Sequence, residues 1–176
     1  MAHAAAVAGA SDRLGLVAPG DRGSMVARHT ADSLLFALAR PPIPGETWVD
    51  VGSGAGFPGL VLACCYPETR FTLIEPSERR AGFLELQLAG LGLANVEVVA
   101  RRLEDVSGAF DIGVARAFQA PSLALRSMIT LVKVGGRVIV AAGPHEAVPA
   151  GATAVTLERL GDVDSPGVLF MMSREV

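Results

Sequence analysis

Short apolar runs alternate along the chain with longer segments that have helical periodicity. We predict strands where β-branched and aromatic residues cluster, and helices where apolar residues recur every three or four positions. Strands that alternate with helices favour parallel pairing, with helices covering both faces of the sheet. The predicted fold class is therefore α/β, with a doubly wound, mostly parallel sheet. The predicted strands span 47–51, 70–75, 95–100, 110–117 and 136–142, and the predicted helices span 24–39, 58–67, 77–92 and 120–132.

The alternation ends after Gly143, where "GPHEAVPAG" is too broken to hold a long helix. Residues 153–160 and 167–174 look like two closing strands, which we predict to be antiparallel to each other. The chain shows no internal repeat and no linker, so residues 1–176 are predicted to form a single domain. Residues 1–23 are expected to be a short N-terminal segment that is disordered at its start.

Composition favours a compact, soluble protein. Hydrophobic residues make up 51% of the 176 residues, and no apolar run approaches the roughly 18 residues that a membrane-spanning helix needs. The N-terminus lacks the features of a secretory signal, so a cytoplasmic location without a membrane partner is expected. Cys64 and Cys65 are adjacent on a predicted helix and are interpreted as small core residues. The three histidines lie too far apart for a zinc site, so no metal is predicted.

A glycine-rich loop, "VDVGSGAGFPG" at 49–59, joins a strand to the helix that follows it. The loop after the first strand of a doubly wound sheet usually meets the ligand, and glycine lets a ligand approach the backbone closely. Gly52, Gly54 and Gly56 form G-x-G-x-G, which is one residue shorter than the dinucleotide fingerprint, and no lysine completes a phosphate loop. A dinucleotide and a phosphate are therefore disfavoured, whereas a purely structural tight turn stays open as an alternative.

Acidic residues lie at the ends of the first and second predicted strands and directly after the third. Asp50 ends the first strand, where an aqueous-facing carboxylate could meet an ammonium group or order the loop through its amides. Glu75 ends the second strand about 20 residues after the loop, the spacing at which an acid can accept both ribose hydroxyls of an adenosine. After the third strand, Glu104 or Asp105 could approach an adenine amino group. The alternatives are an ordinary exposed strand-end acid at Glu75 and a solvated charge run after the third strand.

Together, these features resemble the S-adenosylmethionine site of class I methyltransferases: a strand-end Asp, a G-x-G-x-G loop, an acid after the second strand and a polar loop after the third. Such a site suits a cationic sulfonium with an amino-acid tail and an adenosine, and it has no pyrophosphate to bind. The resemblance implies S-adenosyl-L-methionine as the cofactor. The predicted cofactor-binding residues are Asp50, Gly52, Ser53, Gly54, Gly56, Phe57, Glu75, Leu103, Glu104 and Arg116.

Longer stretches resemble one family, the RsmG (GidB) family of bacterial methyltransferases. The matching stretches are "ARHTADS" at 27–33, "VDVGSGAGFPG" at 49–59, "FTLIEPSERRAGFL" at 71–84, "RRLED" at 101–105 and "FDIGVARAF" at 110–118. The resemblance implies a seven-stranded class I methyltransferase fold. It also implies N7 methylation of a guanine in 16S ribosomal RNA, with small-subunit rRNA or a pre-ribosomal particle as the partner.

Methylation of guanine N7 needs no general base, because N7 has a lone pair in the ring plane and loses no proton. Alignment of the two reactants near attack distance can then supply the catalysis. Arg116, after the fourth strand, is the predicted residue for orienting the base, since arginine can donate two hydrogen bonds to guanine; a structural salt bridge is the alternative. Arg28 and His29 are expected to cover the cofactor mouth, although His29 could be a packed helix residue. Asp32 and Ser33 could brace the site or lie on the surface.

The chain departs from the family pattern where positive charge is expected. Ala142 and Gly143 stand where the family usually carries Lys-Gly, and the last strand is apolar. Lys133 is the only lysine, and the formal net charge of −3 argues against attraction of the whole surface to nucleic acid. Three alternatives stay open: a divergent relative with a different or small-molecule acceptor, a non-catalytic cofactor-binding module and, more distantly, a nicotinamide oxidoreductase.

Overall fold

A computed structural model of the chain describes Val7, residues 25–158 and residues 167–175. The predicted N-terminal segment 1–23 lies outside the described residues, apart from Val7. The helices are α1 (Met25–Ala39), α2 (Gly59–Cys65), α3 (Glu78–Leu91) and α4 (Pro121–Met128), with 3-10 turns at Leu103–Asp105 and Ile129–Leu131. The strands are β1 (Thr47–Val51), β2 (Arg70–Ile74), β3 (Val96–Val99), β4 (Phe110–Ala115), β5 (Val132–Ala142), β6 (Thr153–Leu157) and β7 (Gly167–Ser173).

The strands form one seven-stranded sheet in the order β3-β2-β1-β4-β5-β7-β6. Strands β1 to β5 pair in parallel, and β7 is antiparallel to both β5 and β6. The predicted doubly wound, mostly parallel sheet with antiparallel last strands is confirmed. The chain moves outward from β1 to β3 and then returns to the other side of β1, so the strand order reverses between β1 and β4.

Helices cover both faces of this sheet because strand side chains alternate between the faces. On one face, Val49 and Val51 of β1 share a buried cluster with Leu125 of α4. On the opposite face, Trp48 of β1 shares a buried cluster with Phe36 of α1 and with residues of α2. The core therefore lies on both faces of the sheet, and it includes the last residues of β1, β2 and β4, which are Val51, Ile74 and Ala115.

The element boundaries differ from the predicted ones by a few residues. The predicted helix 120–132 ends at Met128 and continues as a 3-10 turn, and β5 begins at Val132 rather than at 136. Ser77 stands at the N-cap of α3, but its side chain makes no capping hydrogen bond there. Gly92 ends α3 in the left-handed conformation that glycine favours, with φ 66°.

The placement of the two cysteines corrects a prediction. Cys64 and Cys65 are both exposed rather than in the core. The buried face of α2 consists of Gly59, Leu60, Leu62 and Ala63, and the helix ends directly after the two thiols. None of the helices described by the structure is long and apolar enough to cross a membrane.

Candidate functional site

The carboxyl ends of β1, β2, β3 and β4 meet at one edge of the sheet, and the candidate site is built from the loops that follow them. The glycine loop follows β1, and residues 116–120 follow β4. In an open α/β sheet, the loops diverge where the strand order reverses and leave a crevice that binds ligands. This reversal lies between β1 and β4, which brings the two loops to the same place.

The glycine loop contains three positive φ angles: 73° at Gly52, 54° at Gly54 and 92° at Gly56. Other residues rarely adopt this conformation, which explains why glycine recurs at every second position. The amides of Gly52 and Ser53 donate to the Ile74 carbonyl at 2.9 and 3.1 Å, so the loop starts as an extension of the β1–β2 pairing. The buried Ser53 hydroxyl donates to the Asp50 carbonyl oxygen at 3.0 Å and braces the loop from inside.

Asp50 lies under this loop and is fully buried, so the expectation of an aqueous-facing carboxylate is wrong. Its Oδ2 accepts a hydrogen bond from the Gly59 amide at 2.9 Å, which orders the end of the loop. Its Oδ1 has no hydrogen-bond partner among the described residues. Burial raises the pKa of Asp50 to about 7, although the hydrogen bond from Gly59 and the charge of Arg116 act in the opposite direction.

Glu75 is hydrogen-bonded through both of its carboxylate oxygens and is only 2% exposed. Oε2 accepts from the Gly54 amide at 3.0 Å. Oε1 accepts from the Ser77 amide at 2.9 Å and from Arg80 Nε at 3.0 Å, and Arg80 Nη2 lies 2.9 Å from the same oxygen. Glu75 thus connects the glycine loop to the start of α3, and the alternative of an ordinary exposed strand-end acid is wrong.

A cavity of about 310 Å³ opens beside the glycine loop, and we name it the glycine-loop cavity. Its size is at the lower end of the range of about 300–1,000 Å³ that is typical of small-molecule sites. Gly52, Leu103 and Glu104 line it, so three of the predicted cofactor-binding residues meet there from the loops after β1 and β3. Leu103 is buried and Glu104 is exposed, because the 3-10 turn directs neighbouring side chains differently.

Sequence reasoning missed six further residues that line this cavity: Val51, Ile74, Pro76, Arg102, Phe118 and Gln119. Phe118 packs directly on the glycine loop, since a Cβ placed on Gly52 would lie 2.7 Å from Phe118 Cδ2. The available signal was its position just after β4, the strand beside β1 at the reversal of strand order. Arg80, which binds Glu75, was missed as well; its place in the first turn of the helix after Glu75 was the corresponding signal.

Gly56 and Phe57 lie deeper in the loop. The Gly56 amide donates to the Ser53 carbonyl at 2.7 Å. Phe57 is buried, and its ring centroid lies 5.5 Å from that of His29. The contacts of Phe57 indicate that it supports α1 against the loop, and its predicted contact with the cofactor stays a prediction.

Arg116 connects the end of β4 to α1. Its Nη2 contacts His29 Nδ1 and lies 3.6 Å from Asp32 Oδ2, which is the salt bridge considered as an alternative role. Because arginine only donates hydrogen bonds, Nδ1 is the acceptor in this contact. Ser33 is fully buried and donates to the His29 carbonyl at 2.7 Å, so Ser33 braces the helix rather than lying on the surface.

A second cavity, of about 340 Å³, is named the Arg116 cavity. The three predicted catalytic residues, Arg28, His29 and Arg116, all line it. Gln119 lines both cavities, so the two are adjacent. No group of three His, Cys, Asp or Glu side chains suited to a metal ion occurs within the described part of the chain.

Comparison with known proteins gives consistent matches in sequence. The family model described as "GidB: rRNA small subunit methyltransferase G" matches residues 2–158. The ribosomal RNA small subunit methyltransferase G of Clavibacter sepedonicus is 40% identical over 158 residues, which are 87% of this chain and 73% of that protein. The protein of the same name from Moorella thermoacetica is 32% identical over 86% of this chain and 65% of its own length.

Comparison with solved structures concerns the fold. A putative S-adenosyl-L-methionine-dependent methyltransferase from Methanococcus maripaludis superposes with a TM-score of 0.66, covers 98% of this chain and 92% of its own, and is 14% identical. MtNAS, solved in complex with MTA and tNA, also superposes with a TM-score of 0.66. This superposition covers 99% of this chain and 69% of the MtNAS chain, at 17% identity.

Proposed function

The chain belongs to the GidB family, rRNA small subunit methyltransferase G, and is an S-adenosylmethionine-dependent methyltransferase; on this premise we propose that it methylates N7 of a guanine in the 16S rRNA of the small ribosomal subunit. The observation that carries the proposal is the pair of adjacent cavities that share Gln119. One is lined by Gly52 of the glycine loop and suits the methyl donor. The other is lined by Arg116 and suits the acceptor base.

The glycine loop fits the donor through its backbone, and Gly52 is the glycine of the loop that lines the glycine-loop cavity. Gly54 has positive φ, and a Cβ there would meet only the Gly52 carbonyl oxygen, at 3.7 Å, so the peptide is bare on the open side. We assign the amino-acid tail to Gly52 and Gly54, the ribose to Glu75, and the adenine to Leu103 with Glu104. S-adenosylmethionine bound there supplies a methyl group on a sulfonium centre, which is electrophilic without any protein nucleophile.

The Arg116 cavity supports a guanine as the methyl acceptor, because Arg116 can donate hydrogen bonds to the base. The guanidinium of Arg116 is held by Asp32 and His29, so its direction is fixed before the substrate binds. Contact with guanine O6 or with a phosphate would orient the base and leave the N7 lone pair free for attack. The described residues around the cavity need to align the base rather than remove a proton, because N7 carries none.

The proposed partner is small-subunit rRNA or a pre-ribosomal particle, and the proposed location is the cytoplasm. The test incubates the protein with methyl-labelled S-adenosylmethionine and small subunits from cells that lack their own enzyme. We expect label in 16S rRNA at a single guanine that becomes sensitive to borohydride and aniline cleavage, a reaction specific for N7-methylguanine.

Two controls sharpen this experiment. Subunits from cells that retain their enzyme already carry the methyl group and are expected to take up little label. The Gly54→Val protein is expected to transfer none. Label that appears only in a small-molecule fraction, or at a position other than guanine N7, would contradict the proposal and favour a different acceptor.

A further inference from the structure

Glu146 stands on the loop that follows β5, and it lines the Arg116 cavity. Strand β5 pairs in parallel with β4, so its carboxyl end lies beside the end of β4, which Arg116 follows. The Glu146 amide donates to the Gly143 carbonyl at 3.2 Å and closes a turn just after the strand. A Cβ added to Gly143 would lie 3.3 Å from Glu146 Oε1, so the side chain folds over this turn. The turn thus brings the carboxylate back beside the end of β5.

The Glu146 carboxylate is accessible to a ligand. The residue is exposed, and no other described residue forms a hydrogen bond or an ion pair with its side chain. In the same cavity, the Arg116 guanidinium is held by His29 and Asp32. An ionised carboxylate only accepts hydrogen bonds, and an arginine only donates them. The cavity therefore offers both an acceptor group and a donor group to one bound molecule.

Guanine has the groups that this combination requires. Its O6 accepts hydrogen bonds, whereas the adjacent N1–H and 2-amino group donate them, so the two oxygens of a carboxylate can accept from both donors at once. Adenine has a donor where guanine has O6 and an acceptor at N1, and these would face Arg116 and Glu146 with groups of the same kind. A phosphate would meet the negative charge of Glu146. The cavity therefore favours guanine over an adenine or a phosphate.

We propose that Glu146 determines the specificity for guanine: its carboxylate accepts from N1–H and the 2-amino group while Arg116 donates to O6. This inference rests on the proposed function, because it takes the Arg116 cavity as the acceptor site. It adds a contact on the edge of the base that does not carry N7. Both contacts leave the N7 lone pair free for the methyl group.

The test compares methyl transfer to two kinds of small subunit, reconstituted with either guanosine or inosine at the 16S rRNA position that the labelling experiment identifies. The inosine base keeps O6, N1–H and N7 and lacks only the 2-amino group. We expect Glu146→Gln to lower kcat/KM for guanosine roughly tenfold or more, and to lower the guanosine-to-inosine ratio of kcat/KM by a similar factor. The intrinsic difference in N7 reactivity between the two bases is the same for every variant, so it cancels when the ratios are compared.

The matched control is Glu85→Gln, which makes the same change at an exposed position on α3 and should alter neither the rate nor the ratio. A purely structural or electrostatic role for Glu146 would change transfer to both bases by the same factor, and that result would overturn the inference. Equal or faster transfer by Glu146→Gln would overturn it as well. These results differ from failure of the proposed function, in which the unmodified protein methylates no guanine of 16S rRNA and both proposals are wrong.

Discussion

At the scale of single residues, Asp50 makes the stability of the fold depend on pH. Burial raises its pKa to about 7 from the ordinary value of 3.8. Between these two values, the folded protein keeps a proton that the unfolded chain has released. The free energy of unfolding must therefore fall as the pH rises from about 4 to about 7. Asp50→Asn should remove this fall, which we expect to be a few kcal/mol, in urea unfolding measured across that range.

The matched control for this prediction is Asp111→Asn. Burial acts to raise the pKa of Asp111, but hydrogen bonds from Lys133 and Thr47 hold this pKa below its ordinary value. Asp111 therefore stabilises the fold above pH 4 and loses this contribution only in more acidic solution. Its Asn variant should keep the slope between about pH 4 and 7. An unmodified protein with no slope, or an Asp50→Asn variant that retains it, would contradict the prediction.

Gly54 carries a second prediction at this scale. Gly54→Val should abolish binding of S-adenosylhomocysteine, because the side chain would occupy the open side of the loop and the φ of +54° disfavours a β-branched residue. Gly45→Val is the control, since Gly45 also has positive φ, +84°, and an added Cβ there meets no atom within 4 Å. Both variants should lose stability, but only Gly54→Val should lose binding in calorimetry. Unchanged affinity of Gly54→Val would count against the placement of the ligand.

At the scale of elements, Asn95 joins the end of α2 to the start of β3. Its Nδ2 donates to the carbonyl oxygens of Ala63, Tyr66 and Thr69, at 3.1, 3.2 and 3.1 Å. The Ala63 carbonyl lies in the last turn of α2, where carbonyls have no partner within the helix, so this amide satisfies it. The Tyr66 carbonyl also accepts from the Thr69 amide, at 3.1 Å. Asn95→Asp replaces the donor by an acceptor facing three carbonyls.

We expect Asn95→Asp to lower the free energy of unfolding by about 2–4 kcal/mol at neutral pH, measured by urea unfolding. Gln119→Glu is the control: it makes the same amide-to-acid change at an exposed position and should stay within about 0.5 kcal/mol of the unmodified protein. Equal effects of the two substitutions would show that the carbonyl contacts of Asn95 contribute nothing.

The comparison of elements also shows what sequence patterns can predict. Apolar runs located every strand of the sheet. For β1, β2 and β4 the reason is that a buried parallel strand needs a continuous apolar stretch. The pattern did not separate α4 from the 3-10 turn at Ile129–Leu131, because both have apolar residues at helical spacing. It placed Cys64 and Cys65 in the core, because the buried face of a short helix depends on which neighbours pack against it.

Within the candidate site as well, some features could be predicted from the sequence and others could not. The glycine loop and Glu75 could be found from spacing along the chain, since both follow strands that pair with each other. The burial of Asp50 could not be predicted from spacing, because it depends on how the loop closes over the end of the strand. Phe118 was missed for a related reason: it lies against Gly52 only after the sheet has formed. Arg80 is only five residues from Glu75, and spacing alone did not show that its side chain turns back onto that acid.

At the scale of the whole molecule, the net charge of −3 requires any contact with RNA to be local. Arg79 and Arg101 are exposed at the carboxyl edge of the sheet, on α3 and after β3. Arg70 and Arg137 are exposed nearer the opposite edge, in β2 and β5. Each arginine that contacts a phosphate adds to the dependence of binding on salt, because binding releases a counterion.

We therefore expect the double variant Arg79→Gln/Arg101→Gln to bind small-subunit rRNA more weakly, with a slope of log affinity against log salt that is reduced by about 1–2. Arg70→Gln/Arg137→Gln changes the total charge by the same amount and should leave both quantities nearly unchanged. Filter binding across a salt series measures them. Equal effects of the two double variants would mean that the charge of the whole molecule, rather than the edge that carries the two cavities, governs the encounter with RNA.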